Sequence, residues 1–144
     1  MKFKIDLTNY DIVEIPSYII EVDTIAPSLD KLLDEIDQFN LEIKWDGMWG
    51  VTEAESRLID GWKLVVFTPN DTIKGWYWLD TVGVCKNLYV NKEYRNRGIG
   101  REMNLALFNI CKKINMNEAV CYVDDWNINS IRCMENSGWS RVNE

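Results

Sequence analysis

Apolar and polar residues alternate with a period of two in Lys2–Leu7, the pattern of a strand with one buried face. Pro16 breaks the chain, and Ser17–Asp23 (S-Y-I-I-E-V-D) predicts a second strand. The period then lengthens. After Pro27, with Ser28 as candidate N-cap, Leu29, Leu32, Leu33, Ile36 and Phe39 recur at helical spacing and form one apolar face. Leu41–Gly50 is rich in Gly and Trp and reads as a loop, and Thr52–Ile59 predicts a short helix with Thr52 and Glu55 spaced as a capping box. Trp62–Phe67, Ile73–Leu79 and Val82–Val90 predict three strands of an antiparallel meander, the first two joined at the turn signal Pro69-Asn70-Asp71. Gly98–Met116 is the strongest helical pattern, with Met103, Leu107, Ile110, Cys111 and Ile114 on one face. Ala119–Val123 predicts a short strand, and Ile128–Asn136 a helix ended by Ser137-Gly138. Trp139–Glu144 leaves room for one short strand. No repeat, low-complexity segment or linker interrupts this order, so 144 residues predict one α/β domain, 1–144, with a sizeable core.

Composition narrows the function classes. No apolar run approaches the roughly 18–20 residues that span a bilayer. The N-terminus, Met1-Lys2-Phe3-Lys4-Ile5-Asp6, lacks the apolar stretch of a signal peptide. The expected location is the cytoplasm, with no membrane partner. A net charge of −7 disfavours nucleic-acid binding, which needs a basic surface, and suits a cationic acceptor such as an amine. The chain has no histidine, which excludes Ser-His-Asp and Cys-His chemistry and argues against a zinc site, so no metal is expected. Cys85, Cys111, Cys121 and Cys133 form no C-x-x-C pair and read as buried, reduced thiols.

Candidate chemistry concentrates in Val90–Arg101 (V-N-K-E-Y-R-N-R-G-I-G-R), where a strand turns into the longest helix. Glycines at a helix start leave backbone N–H groups open to an anion, and Arg95, Arg97 and Arg101 add positive charge. The plainer alternative is a tight turn with solvated arginines. A second constellation follows: Asn127 after a strand, Ser130 three residues on, and Gly138-Trp139 closing the next helix.

Arg95-Asn96-Arg97-Gly98-Ile99-Gly100 after the strand end Leu88-Tyr89-Val90, followed in order by Asn127, Ser130 and Gly138-Trp139, resembles the two motifs of the GNAT acetyltransferase superfamily. The resemblance covers roughly Trp62–Trp139, and the segment before it matches by element order. It implies a GNAT-like α/β (α+β) fold: a mixed, mainly antiparallel sheet flanked by helices, with a splayed strand pair holding acetyl-CoA as co-substrate. It implies a pyrophosphate cradle of Arg95, Asn96, Arg97, Gly98, Ile99, Gly100 and Arg101. The pantetheine arm would run along Leu88, Tyr89 and Val90 and meet Asn127 and Ser130, with the Val90 amide facing the thioester oxygen. Asn127 also suits a helix N-cap, and Trp139 suits the core.

The acid and base positions depart from the family pattern. Many members carry a Tyr seven residues after the motif Asn; here that residue is Met134. Some carry a catalytic Glu five residues before it; here that is Tyr122. Another acid position falls at Asn87. Tyr122 is therefore the first candidate for proton transfer and Tyr89 the second. Asp80, Asp124 and Asp125 could relay a proton through water, though each suits a turn carboxylate, and Cys85 and Cys133 are assigned to the core. The expected function is N-acetyl transfer to a primary amine by direct attack; the alternative is a non-catalytic acyl-CoA-binding or interaction module. Trp45-Asp46-Gly47-Met48-Trp49 would border the acceptor site, holding a cationic amine, or else cap a core or dimer interface. The family commonly ends with two strands, for which Trp139–Glu144 is too short. The first strand, or a homodimer partner, would fill the vacated edge.

Overall fold

The computed structural model describes residues 1–23, 31, 32, 34–36 and 51–143. In chain order the elements are β1 (Lys2–Asp6), β2 (Ile19–Val22), α1 (Val51–Ile59), β3 (Lys63–Phe67), β4 (Gly75–Leu79), β5 (Val84–Val90), α2 (Ile99–Lys113), β6 (Glu118–Tyr122), α3 (Ile128–Asn136) and β7 (Ser140–Val142). Residues 31, 32 and 34–36 are helical as well.

Among the described residues, seven strands form one sheet in the order β2-β3-β4-β5-β6-β1-β7. Every neighbouring pair is antiparallel except β5–β6, which is parallel. The expected meander is β3-β4-β5. Its strands start later than the hydrophobic pattern suggests. Asp80 caps the turn before β5 by accepting from the N–H groups of Val82 and Val84, so pairing begins at Val84. Pro69–Asp71 is a 3₁₀ turn with Asn70 at φ 53° and Asp71 at φ 61°, as the turn residues suggested. Thr52 is not a cap: α1 begins at Val51, so Thr52 lies inside the helix. The predicted Ile128–Asn136 helix is α3, and Gly138 follows it at φ 98°.

Hydrophobic residues fall on both faces of the sheet. Phe3, Val65, Phe67, Tyr77, Cys85 and Cys121 pack against Met103, Leu107 and Phe108 of α2 and Ile131 and Met134 of α3. Leu64, Val66, Trp76, Trp78 and Tyr89 pack against Leu32, Ile36 and Ala54. Strand β4 lies between these layers and is buried along its whole length. Each large apolar side chain so buried contributes about 1.5–3 kcal/mol. Leu32 and Ile36 take the core positions expected of them; Ser28, Leu29, Leu33, Phe39 and the loop Leu41–Gly50, with Trp45-Asp46-Gly47-Met48-Trp49, lie outside the described residues.

The first strand resolves the question of the vacated edge. β1 is inserted between β6 and β7, with Phe3 opposite both Cys121 and Arg141. The chain's own N-terminus thus completes the sheet beside its single last strand. Among the described residues no helix is long and apolar enough to cross a membrane.

Candidate active site

The site begins with a β-bulge. Trp78 pairs with Lys86 and Trp76 with Tyr89, so Tyr77 on β4 faces two residues of β5, Asn87 and Leu88. Asn87 adopts φ 63°, a left-handed conformation that Asn tolerates better than most residues. A bulge bends the strand that carries it. Strand β5 pairs with β6 only at Val84–Val120 and Cys85–Cys121, and the two part as β5 enters the bulge. Arg57 of α1 holds the bulge in place. Its Nη1 donates to Asn87 Oδ1 at 3.1 Å, its Nη2 donates to Glu53 Oε1 at 2.9 Å, and its guanidinium lies 4.4 Å from the Trp62 ring centre and 5.1 Å from that of Trp78.

The parting strands open a cleft of about 700 Å³, lined by Tyr77, Cys85, Asn87, Leu88, Cys121, Tyr122, Asn127, Ser130 and Met134 among others. The Val90 N–H lies on the edge of β5 away from β4. The Asn91 N–H bonds to the carbonyl of Lys74, the residue before β4, and the alternation of an antiparallel pair turns the polar groups of Val90 to the other edge. There the Val90 carbonyl accepts from Arg95 Nε at 2.8 Å.

The chain then makes a 3₁₀ turn at Lys92–Tyr94, capped by the Asn91 side chain, which accepts from the Glu93 N–H. Asn96 (φ 62°) and Gly98 (φ 81°) are left-handed, and Gly98 is the N-cap of α2. A Cβ on Gly98 would meet nothing within 4 Å, so the space beside it is open to a ligand. The first bond of α2 runs from the Glu102 N–H to Gly98 O, leaving the N–H groups of Ile99, Gly100 and Arg101 without a place in the helical ladder. Gly100 answers to a different demand: a Cβ there would lie 2.8 Å from Cys133 Sγ on α3. Arg97 rests over the Tyr94 ring at 5.6 Å and Arg95 over the Tyr89 ring at 5.9 Å. Asn127 caps α3, its side chain accepting from the Ser130 N–H at 3.3 Å, and both residues line the cleft.

A sequence model of the acetyltransferase (GNAT) family matches residues 24–139. The chain belongs to the GNAT family. Its sheet of mostly antiparallel strands flanked by helices is the fold of that family's solved structures. A GNAT acetyltransferase from Staphylococcus aureus superposes with a TM-score of 0.69 at 22% identity, over 88% of this chain and 87% of that one. An aminoglycoside acetyltransferase from an uncultured soil metagenomic sample gives 0.68 at 13% identity, over 91% and 94%. A Drosophila protein gives 0.71 at 11% identity over 98% of this chain, which spans only 46% of that longer one. At these identities the likeness is one of fold. No curated protein matches the sequence.

Against this GNAT scaffold the proton-transfer candidates separate. Tyr122 lines the cleft and is 61% exposed. The Tyr89 hydroxyl is committed elsewhere: it donates to Glu35 Oε1 at 2.9 Å, on the face packed by the helical residues near 35. Glu35 is almost fully buried and also accepts from Asn91 Nδ2 at 2.8 Å and pairs with Lys74 at 3.2 Å. Asp80 is a turn carboxylate, further paired with Lys86 at 3.4 Å. Asp125 pairs with the N-terminal ammonium at 3.3 Å, and Asp124 lines the cleft. Burial pushes the thiols up: Cys85 well above its ordinary value, Cys133 upward, Cys111 to about 11 and Cys121 to about 12. A protonated thiol is a poor nucleophile. Cys85 lies in the core as expected, whereas Cys133 is only half-buried, because it sits on α3 beside Gly100 at the start of α2 rather than under the sheet.

Two residues escaped the sequence reading. Tyr77 sits mid-strand in a wholly apolar run, where periodicity cannot say which face meets a cleft; its hydroxyl donates to Met134 Sδ at 3.9 Å. Asn104 ties α2 to the chain end, donating to Gly100 O at 2.9 Å and accepting from Trp139 Nε1 at 2.9 Å. A polar residue on the apolar face of α2 was the available signal. Trp139 itself is buried against Phe108, as expected of a core residue.

Proposed function

We propose that this GNAT protein is an N-acetyltransferase that moves an acetyl group from acetyl-CoA to a primary amine by direct attack. The observation that carries the reading is the cleft beside the parting strands β5 and β6, with Asn127 and Ser130 along its wall; the Val90 N–H, on the edge of β5 away from β4, is the donor proposed to reach into it. The residues present fit the co-substrate. Open space at Gly98 and the N–H groups of Ile99, Gly100 and Arg101 suit a pyrophosphate, with Arg95, Asn96 and Arg97 around it. The helix dipole contributes only about 0.3–1 kcal/mol, so directed N–H bonds supply most of the grip. Leu88, Tyr89 and Val90 offer a bent strand edge to the pantetheine arm.

Acetyl-CoA supplies an activated acyl carbon and a sulfur leaving group. The Val90 N–H would stabilise the oxyanion that develops during attack, an effect worth about 3 kcal/mol. A lysine-like amine must also lose a proton, which costs about 4–5 kcal/mol at neutral pH. Tyr122, or water beside it, is the group proposed to move that proton. The net charge of −7 favours a cationic acceptor over a nucleic acid, and four free thiols suit the reducing cytoplasm.

Met134 on the cleft wall favours a second reading, an acyl-CoA-binding module without turnover. Free-thiol release from acetyl-CoA, measured with polyamines, aminoglycosides and peptide N-termini, separates the two. Release with at least one class supports the transferase. Thermal stabilisation by CoA with no release from any amine supports the binding module, and no stabilisation at all would sink both.

A further inference from the structure

Acyl transfer from a thioester leaves a sulfur anion that must be neutralised. We infer that the Tyr77 hydroxyl is the catalytic donor to that sulfur, an inference that rests on the transferase reading above. Three observations lead there. Tyr77 lines the cleft from the β4 side, directly opposite the bulge at Asn87 and Leu88. Its hydroxyl already donates to a sulfur, Met134 Sδ, across the same cleft. A thioether is a weak acceptor, and a thiolate in its place would be a far stronger one.

The third observation is the position of the two cleft phenols. Cys121 packs in the core under α2 and α3, together with Tyr77, Cys85 and Met134. Tyr122 is the next residue along β6 and therefore projects from the opposite face. One phenol thus borders the gap on the face of α2 and α3, where the helix N-termini stand, and the other on the far face. A thioester entering from the helix side brings its sulfur to Tyr77, while an amine attacking from the far face sheds its proton beside Tyr122.

The step balances. The amine nitrogen bonds to the acyl carbon, the carbon–sulfur bond breaks, and its electron pair leaves on sulfur. The phenol proton of Tyr77 passes to sulfur to give the free thiol. The nitrogen loses its extra proton to water, and water returns one to the Tyr77 oxygen. Burial keeps the Tyr77 phenol well above its ordinary range, and Cys121 in the same cleft is pushed up to about 12. The phenol therefore carries its proton at neutral pH and has one to give.

Tyr77→Phe keeps the ring and removes only the hydroxyl. Its kcat for thiol release should fall ten-fold or more, with the KM for acetyl-CoA changed less than two-fold. A binding cycle reads the same contact without turnover: CoA and desulfo-CoA are titrated into the wild type and Tyr77→Phe. The wild type should prefer CoA several-fold, and the variant should lose that preference. Equal preference in both proteins, or an unchanged kcat, overturns the assignment. Should the wild type turn over no amine, the transferase reading fails while the cycle still decides whether Tyr77 meets the sulfur. If Tyr77→Phe does not fold, 3-fluorotyrosine at position 77 supplies the readout. Its ¹⁹F resonance should move with CoA and not with desulfo-CoA; the same movement with both counts against the inference.

Discussion

Gly98 and Gly100 stand two residues apart in one motif, yet they meet different physical demands. Gly98 is left-handed with open space where a side chain would be, so substitution there costs backbone strain and intrudes on the proposed anion site. Gly100 is crowded: a Cβ would press on Cys133 Sγ at 2.8 Å. Gly100→Ala should therefore lower stability by about 1–3 kcal/mol through overpacking between α2 and α3. Cys133→Ala in the same chain should recover most of that loss, since it removes the atom being pressed. Urea unfolding of the two single variants and the double variant measures this coupling. Additive effects would show that the strain lies elsewhere. The sequence marked both glycines as belonging to the loop, but only a neighbour 33 positions away distinguishes them.

At the scale of elements, the cleft depends on a strand that bends and a helix that holds the bend. Asn87 supplies the left-handed residue, and Arg57 of α1 bonds to its side chain while packed between Trp62 and Trp78. Arg57→Ala removes this link, a cation–π contact of about 0.5–2 kcal/mol and an i,i+4 ion pair of about 0.3–0.5 kcal/mol. A total loss of about 1–3 kcal/mol is expected, together with weaker CoA binding, because β5 is freer to straighten toward β6. Denaturant unfolding and calorimetric titration with CoA test the two parts separately. Arg57→Lys should restore little, since an ammonium lacks the planar fork that serves Asn87 and Glu53 together. Loss of stability with unchanged CoA affinity would show that the bulge holds without its link.

At the scale of the whole molecule, four elements bring their cysteines into or beside one core: Cys85 on β5, Cys111 on α2, Cys121 on β6 and Cys133 on α3. Each is held as a thiol because burial disfavours the anion, with Cys111 raised to about 11 and Cys121 to about 12 from an ordinary 9.0. An acid whose folded value is raised keeps its proton in the native state after the unfolded chain has lost it. Its contribution is thus complete below pH 9.0 and is lost as the pH rises toward the folded values. Stability should be flat through neutrality and fall above about pH 9, by about 1.4 kcal/mol per pH unit for each thiol involved. Urea unfolding across that range tests this, and Cys121→Ala should flatten the decline. A flat alkaline limb in the native sequence would count against buried thiols as its source.

The sequence by itself determined what is local. Hydrophobic period set the strands and helices, proline and glycine set their limits, and the order of two motifs identified a GNAT protein with its loop at the start of α2. These features are legible because each depends on residues within a few positions of one another. Tertiary structure alone decided the rest. It inserted β1 between β6 and β7, buried Glu35 beneath Tyr89 and Asn91, and bent β5 at Asn87. It also set Tyr77 against Met134, 57 positions away. Register and the pairing of distant faces are settled by what fills the space between layers, and no window of the chain contains that information. The strand before the Arg95–Gly100 motif was visible in the residues. The gap beside it exists because a bulge on one strand meets a neighbour that cannot follow its bend.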